Sequence, residues 1–526
     1  MLRFAFLFVV LSALFPAVAT AQEGAEARFD VWEYEVSGVR ILSDKAVETA
    51  VYPYLGEAKT FADVEAARSA LEKAFRDAGF QTVLVEIPEQ SVSAGIVRLT
   101  VVEATLERVR VTGSRYHSQA RLLAEAPALA AGEVPHFPAV QEDIARLNRM
   151  PGRRVTPVLK PGKAPGTTEI ELSVEDSPPW GGSLGLTDDH SPKTERLRLT
   201  GGLHYDNLFQ RLHALNLQYQ TAPQNTDQVK ALSVSYLVPL WRPGEFLSMF
   251  VARSNSGVAM LETTNALGNG TVVGLRWISP LKGSEALSHS LTFGVDRKDF
   301  EEQLVLTDSE PVETPIRYWP FSLSYGGVRR DPGGEWAYST GLIWAFRGMG
   351  SSSADYANKR YSARGNFLVV KWDVQRRQEL GDWGGLVAGL DGQIADQPVV
   401  SNEQYSAGGL ESVRGYLQSE ALGDRAVRGS LEWRSPSLAR ERLPGVDDLR
   451  LYAFLEGARL KVLEPLPSEA SIHILSSAGF GLRLRAANRL ALTVNAGWPF
   501  KETGSEDKPT TRARKARVQF NTTMDF

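Results

Sequence analysis

The last ten residues, RVQFNTTMDF, place Val518, Phe520, Thr522, Met524 and Phe526 on one side of an extended chain and Arg517, Gln519, Asn521, Thr523 and Asp525 on the other. Side chains alternate across a strand, so this segment has one largely apolar face and one polar face. Segments of the same kind recur from Trp180 onward, each about ten residues long and separated by turn residues, with no helical period between them. In RLRLTGGLHY, Leu197, Leu199, Gly201, Leu203 and Tyr205 oppose Arg196, Arg198 and Thr200. In LSVSYLV, Leu232, Val234, Tyr236 and Val238 oppose Ser233 and Ser235. A lipid-like outer face with a polar inner face describes a membrane barrel around a wet lumen. A soluble β-sandwich shares the alternation but has no need of a polar inner face. At about ten residues per strand and a connection of similar length, the chain from Trp180 to Phe526 supplies about sixteen antiparallel strands.

The other end of the chain bears on where such a barrel would sit. MLRFAFLFVVLSALFPAVATAQ has one basic residue, Arg3, an apolar run from Phe4 to Phe15, and Ala19 and Ala21 in A-x-A spacing. This predicts a signal peptide over residues 1–21 and an exported chain. The apolar run is short of the roughly 20 residues a spanning helix needs. Lys and Arg total 58 against 62 Asp and Glu, so no basic footprint points to nucleic acid. Cysteine is absent, which removes disulfides and thiolate metal sites.

Residues 29–178 have a different texture, with helices among short strands. WEYEVSGVRIL reads as a strand, residues 44–55 leave room for a helix, and FADVEAARSALEKAFRDAGF has Val64, Ala67, Leu71, Ala74, Phe75 and Ala78 at helical spacing before Gly79. QTVLVEIP and GIVRLTVVEA then read as strands. The order recurs as LERVRVTG, the helix AVQEDIARLNRM, and the strands RRVTPVLKPG and TTEIELSVED. Two small α+β modules in series are predicted, over 29–104 and 105–178, ahead of a barrel over 180–526.

IPEQSVSAGIVRLTVVEA and LNRMPGRRVTPVLKPGKAPGTTEIELSVEDSPP resemble the paired POTRA domains of the two-partner-secretion outer-membrane transporters, the haemolysin and filamentous-haemagglutinin exporters. The matching positions are Pro88, Gln90, Gly95, Val101 and Glu103 in the first module and Asn148, Pro151, Gly152, Pro161, Gly162 and Gly166 in the second, while Ala104 stands where the family has glycine. The resemblance implies α+β POTRA domains in the periplasm of a Gram-negative bacterium and a barrel of sixteen strands in its outer membrane. It implies a secreted partner polypeptide that docks on the POTRA domains by strand addition and leaves unfolded through the lumen. Outer-membrane lipids and the barrel-assembly machinery are the further partners expected, the latter through the terminal aromatic Phe526. An assembly insertase of the same superfamily and a passive porin are the alternatives; two modules and the PEQ signature favour secretion. The family's N-terminal plug helix is expected to be missing, because only Gln22 to Arg28 separate the cleavage site from the first module.

GGLESVRGY, residues 408–416, lies in a long connection between GLVAGLDGQI, with Leu386, Ala388, Leu390 and Ile394 outward, and AVRGSLEWR, with Val427, Leu431 and Trp433 outward. Such a loop either extends into solvent or folds back into the lumen. Val413-Arg414-Gly415-Tyr416 is similar to the motif at the tip of the family's inward-folded sixth extracellular loop, and GDR at 423–425 and Glu432 also match, with Ala426 in place of glycine. The family pairs this arginine with an aspartate in F-x-D on a nearby strand. Here LRLYAFLEGARL offers Phe454 and Glu456 inward with Arg450 and Tyr452, so a glutamate replaces the aspartate and changes the reach of the pair. A bidentate guanidinium–carboxylate pair is expected, making Arg414 a latch on a mobile loop.

No enzymatic constellation is found. The seven histidines form no H-E-x-x-H and no i, i+4 pair, and Asp188-Asp189-His190 reads as a solvated turn before Pro192. No P-loop and no G-x-S-x-G appear. Neither catalytic residue, cofactor nor metal is expected.

Overall fold

The computed structural model describes residues 28–526, apart from 93, 149–151, 193, 243, 257–258, 262–263, 268, 305–311, 440–443, 468 and 506–507. The signal peptide, Pro151 and all but the last residue of the Gln22–Arg28 connection lie outside the described residues. The chain divides into two units, one ending at Asp176 and one beginning at Ser177.

The first unit contains two modules of one design. Glu33–Ser37 runs parallel to Ile96–Glu103, whose other edge carries the antiparallel strand Val83–Glu86. Likewise Thr105–Thr112 runs parallel to Thr167–Asp176, flanked by the antiparallel Arg153–Pro161. Parallel neighbours need a crossover, and the helices supply it. Phe61–Asp77 starts from a capping box between Thr60 and Asp63 and buries Val64, Ala67, Leu71 and Phe75 on one face. Leu71 and Phe75 pack with Val83, Val85, Leu99 and Val101. In the second module Leu122, Val140 and Leu147 pack against Val155, Ile170, Leu172 and Val174.

A shared detail explains why both first strands end in glycine followed two residues later by arginine. A carboxylate closing the central strand caps the turn: Glu103 Oε1 accepts the amides of Arg40 and Ile41 at 2.8 and 3.0 Å, and Asp176 Oδ2 accepts those of Arg115 and Tyr116 at 3.1 and 2.8 Å. Carboxamides serve the backbone too. Gln90 both donates to and accepts from Arg98, and Asn148 does the same with Val155. Two helical details differ from expectation. The helix from Asp44 stops at Val51 and tightens to a 3₁₀ turn over Tyr52–Tyr54, where Pro53 has no amide to continue it. The helix Gln119–Ala124 was not anticipated, being too short to display a period.

The second unit is a closed antiparallel barrel in which sequence neighbours pair throughout, and the last strand, Arg517–Asp525, returns to pair with the first, Trp180–Thr187. Its strand count is sixteen, because Val312–Tyr318 and Phe321–Asp331 are two halves of one strand. Both pair with the same 18-residue strand, Leu287–Leu304, and the break falls at Trp319-Pro320, where proline cannot donate to the ladder. The apolar faces read from the sequence lie outside: Leu203, Leu232, Leu390, Leu431, Val518 and Met524 are exposed, as lipid-facing residues of a barrel are. Their neighbours Ser233 and Gln519 are buried.

Alternate connections are mostly short turns, 435–445 excepted, while the longest, 345–367, 396–424 and 500–516, lie on the opposite, extracellular end. Two of the long ones enter the lumen. Tyr356, Ala363 and Phe367 from the 345–367 connection and Val399 and Val400 from the 396–424 connection form one apolar cluster with Phe250, Phe300 and Tyr318 of the wall.

Candidate functional site

The connection between the strands Gly385–Ala395 and Arg425–Arg434 is the sixth on the extracellular end, and it folds inward. Its descending limb is fixed by Val399 and Val400 in the apolar cluster and by Glu403, whose Oε1 accepts from Lys298 Nζ at 2.5 Å and from Tyr318 Oη at 2.8 Å. Tyr405 then bonds Asp391 on the wall, which also pairs with Arg428. Beyond Gly409 the tip crosses to other strands, and Val413, Arg414 and Tyr416 are buried there.

Two facing strands build the socket for Arg414. In Arg425–Arg434 the outward Leu431 and Trp433 turn Glu432 inward, and in Val446–Lys461 the outward Leu451 and Leu455 turn Tyr452, Phe454 and Glu456 inward. Glu432 stands directly opposite Phe454 in the register, and Glu456 opposite Ser430, so the two carboxylates are diagonal neighbours on one wall. The expected fork is not what forms. Arg414 Nε and Nη2 both donate to Glu456 Oε1, at 2.9 and 2.5 Å, and the free oxygen, Oε2, accepts the Arg414 amide at 2.7 Å. The longer glutamate therefore reaches both the main chain and the side chain of the tip. The remaining arm, Nη1, donates to Glu432 Oε2 at 2.7 Å. The guanidinium lies over the Phe454 ring, 3.7 Å from its centroid, a cation–π contact that gives the F-x-E phenylalanine its part.

Glu432 is shared. Its Oε1 lies 2.7 Å from Arg434 Nε and 2.9 Å from Arg483 Nη1, so it holds three arginines. Its match to the family motif was noted from the sequence, but not its contact with Arg414 or the roles of Arg434 and Arg483. The inward register of AVRGSLEWR was the signal that could have found it.

The tip is seated backbone to backbone. Gly415 has φ +92° and lies against Gly497; a Cβ on Gly497 would stand 2.9 Å from the Gly415 Cα and amide nitrogen, closer than side-chain atoms pack. Gln519 of the last strand accepts the Gly415 amide at 2.8 Å and donates to the Tyr416 carbonyl at 3.2 Å. The Tyr416 hydroxyl donates to the carbonyl of Lys501 at 2.8 Å, and Phe526 exchanges amide and carbonyl bonds with Gly182, both 2.9 Å, where the barrel closes.

Asp188-Asp189-His190 is not the solvated turn expected from its polarity. Asp188 and Asp189 are buried between the first extracellular connection, the last strand and the sixth loop. Asp188 Oδ1 accepts the Phe520 amide at 2.7 Å, and Asp189 Oδ2 the Leu410 amide at 3.2 Å. Burial pushes the Asp189 carboxyl up to about 7, with Glu411 and Asp188 adding to the rise and the Leu410 bond opposing it. Since this folded-state pKa is above that of a free aspartate, the contribution of Asp189 to loop docking is full below about pH 4 and is lost as pH rises through about 7. Loop-dependent current fluctuations in planar bilayers are expected to grow between about pH 6 and 8, and Asp189→Asn, neutral throughout, is expected to remove that dependence.

Comparison with known proteins now places the chain. The profile of the haemolysin secretion/activation proteins ShlB/FhaC/HecB matches residues 166–484, more than half of the sequence, and that of the ShlB-type POTRA domain matches residues 29–104. The chain belongs to the haemolysin secretion/activation protein family. Among relatives, the outer membrane transporter CdiB of Dickeya dadantii is 22% identical over 447 residues, covering 80% of this chain and 74% of the relative. The haem/haemopexin transporter protein HuxB of Haemophilus influenzae is 20% identical, covering 85% and 79%. The solved structure of CdiB from Escherichia coli shares the fold with a TM-score of 0.64 at 19% identity, over 98% of this chain and 93% of the other. This member of the secretion/activation family is an outer-membrane transporter of the two-partner type, with POTRA-like domains in the periplasm and a sixteen-stranded barrel in the membrane.

Proposed function

We propose that the chain binds an unfolded partner exoprotein on its periplasmic modules and passes it through a lumen that the Arg414 tip closes and opens. The observation carrying this reading is the tip itself, buried in the wall by polar contacts to Glu432, Glu456 and Gln519 while its descending limb is held by an apolar cluster. The tip also packs Val413 and Tyr416 with Ala458, Leu460 and Leu475 of the wall, in a smaller apolar cluster than the one that holds the limb. Its polar contacts can be exchanged for water one at a time in a hydrated pore, and in this reading the tip is the part that moves.

In this reading residues 1–21 are the signal peptide, 29–104 and 105–178 the two POTRA domains, and 180–526 the barrel. The partner adds a strand to an open sheet edge. Val83–Glu86 is the candidate edge: it has no proline and exposes Leu84, and docking there displaces Glu72 and Arg68 from the Val85 amide and carbonyl, whereas Arg153–Pro161 loses two donors at Pro157 and Pro161. Phe526 at the seam serves recognition by the barrel-assembly machinery, and outer-membrane lipids solvate the apolar wall. The chain performs no catalysis, and folding of the partner outside gives export its direction.

The test compares proteins in the medium and on the surface of a deletion strain with those of its parent. One large exoprotein is expected to vanish and to return on complementation. Loss of bilayer conductance with every exoprotein still present would make the chain a porin instead.

A further inference from the structure

The extracellular end of the lumen holds cations that the Arg414 socket does not use. The first extracellular connection, the last one, the final strand and the sixth loop enclose a cavity of about 500 Å³, whose lining includes Arg196, Arg512, Lys515 and Arg517. Three of these come from one basic run, RARKAR, at 512–517. Asp188 is the carboxylate in the lining, and it is already engaged, by Arg196 at 3.0 Å and by the Phe520 amide at 2.7 Å. Among the described residues no carboxylate lies within ion-pair distance of Arg512, Lys515 or Arg517. Among the described residues the half-buried Arg517 side chain donates to Thr511 Oγ1, at 3.3 Å. A concave space walled by unpaired cations concentrates anions, and guanidinium groups favour carboxylates and phosphates.

Two features decide which anion. The cavity includes Leu417 and Gln519, and Gln519 holds the loop tip, so the space opens at the latch and on the lumen side of the last strand. The neighbours of Arg517 that face the bilayer are Val518 and Phe520, so a lipid headgroup would have to leave the membrane to reach it. In addition, the loop already lends a carboxylate to the edge of this space. Glu420 accepts from Thr511, a lining residue, at 2.8 Å and bonds Thr503 beside it.

We infer that this vestibule binds carboxylate side chains of an extended acidic segment of the exported polypeptide, which takes the place of Glu420 as it passes the tip. The inference rests on the export reading above and adds a substrate preference to it. Binding is tested on the purified full-length protein with fluorescein-labelled octaglutamate and octalysine, by anisotropy. Octaglutamate is expected to bind and octalysine not, and Arg512→Glu with Lys515→Glu, both on the loop and outside the strands, is expected to weaken octaglutamate by about tenfold or more. Heat-modifiability on gels reports that the double variant has a folded barrel. Equal binding of the two peptides, or unchanged octaglutamate binding by the double variant, overturns the site. Binding of the protein to lipopolysaccharide vesicles with no binding of octaglutamate would assign the cations to lipid phosphate and overturn it too. In cells, the double variant is expected to slow release of the exoprotein missing from the deletion strain; parental release would remove the exported chain as occupant. Failure of the export reading itself appears elsewhere, as a deletion strain that lacks no exoprotein, and leaves the peptide measurements on purified protein unaffected.

Discussion

Arg414→Ala is expected to cut secretion to less than about a tenth of the parental rate with the barrel still assembled. Removing one member of a buried ion pair costs about 3 to 5 kcal/mol where no water can replace it, and a wet lumen lowers that figure. Here the loss is concentrated at the tip. Glu432 keeps Arg434 and Arg483, whereas Glu456 gives up every guanidinium bond it makes and retains the residue 414 amide. The barrel, closed by backbone ladders from end to end, does not depend on these contacts. Partner protein in the medium and heat-modifiability of the barrel separate the two effects. Glu456→Gln keeps the shape but leaves one acceptor oxygen, which can serve the Arg414 amide or the guanidinium and not both, and is expected to secrete at an intermediate rate. Parental secretion by Arg414→Ala would end the latch reading, and disappearance of the barrel would make Arg414 an assembly residue.

Deleting Phe29–Ala104 is expected to abolish export altogether while leaving a heat-modifiable barrel. The first module has its own core, centred on Leu71, Phe75, Leu99 and Val101, and the second a separate one to which Leu106 already belongs, so the cut must fall before Leu106. What the deletion breaks between modules is small, including the bond from the Phe137 amide to the Gly79 carbonyl at 2.9 Å. Residual export at the parental rate would show that the Val83–Glu86 edge is not where the partner docks.

Much of this fold could be read without coordinates because alternation is a local property. Leu431 and Trp433 outward oblige Glu432 inward, and the same parity placed Phe454 and Glu456 on the lumen side. The repeated modules were legible for a similar reason, since each brings its own helical and strand periods. What could not be read depends on partners far along the chain. Glu403 is polar in sequence and becomes a buried anchor only because Lys298 and Tyr318 face it from the opposite wall. The Asp188-Asp189 pair looks like a turn until the sixth loop closes over it. Gly497 is an ordinary strand glycine until Gly415 is laid upon it. The geometry of Arg414 belongs here too: side-on binding follows from Glu456 also taking a main-chain amide, which no spacing in the sequence encodes.

The unequal lengths of the strands bear on how a chain would leave. Leu287–Leu304 has 18 residues, while Trp180–Thr187 at the seam has 8. At about 3.3 Å per residue and a tilt near 40°, these rise about 45 Å and about 20 Å along the barrel axis, against an apolar band about 25 Å tall. The long strand lies roughly half a circuit from the seam in the closed order. The rim is thus uneven rather than a level ring, with a parapet at the long strand and a sill at the seam. On the export reading, a polypeptide leaving such a mouth would be turned toward the sill, and its first folded structure is expected next to the membrane on the seam side.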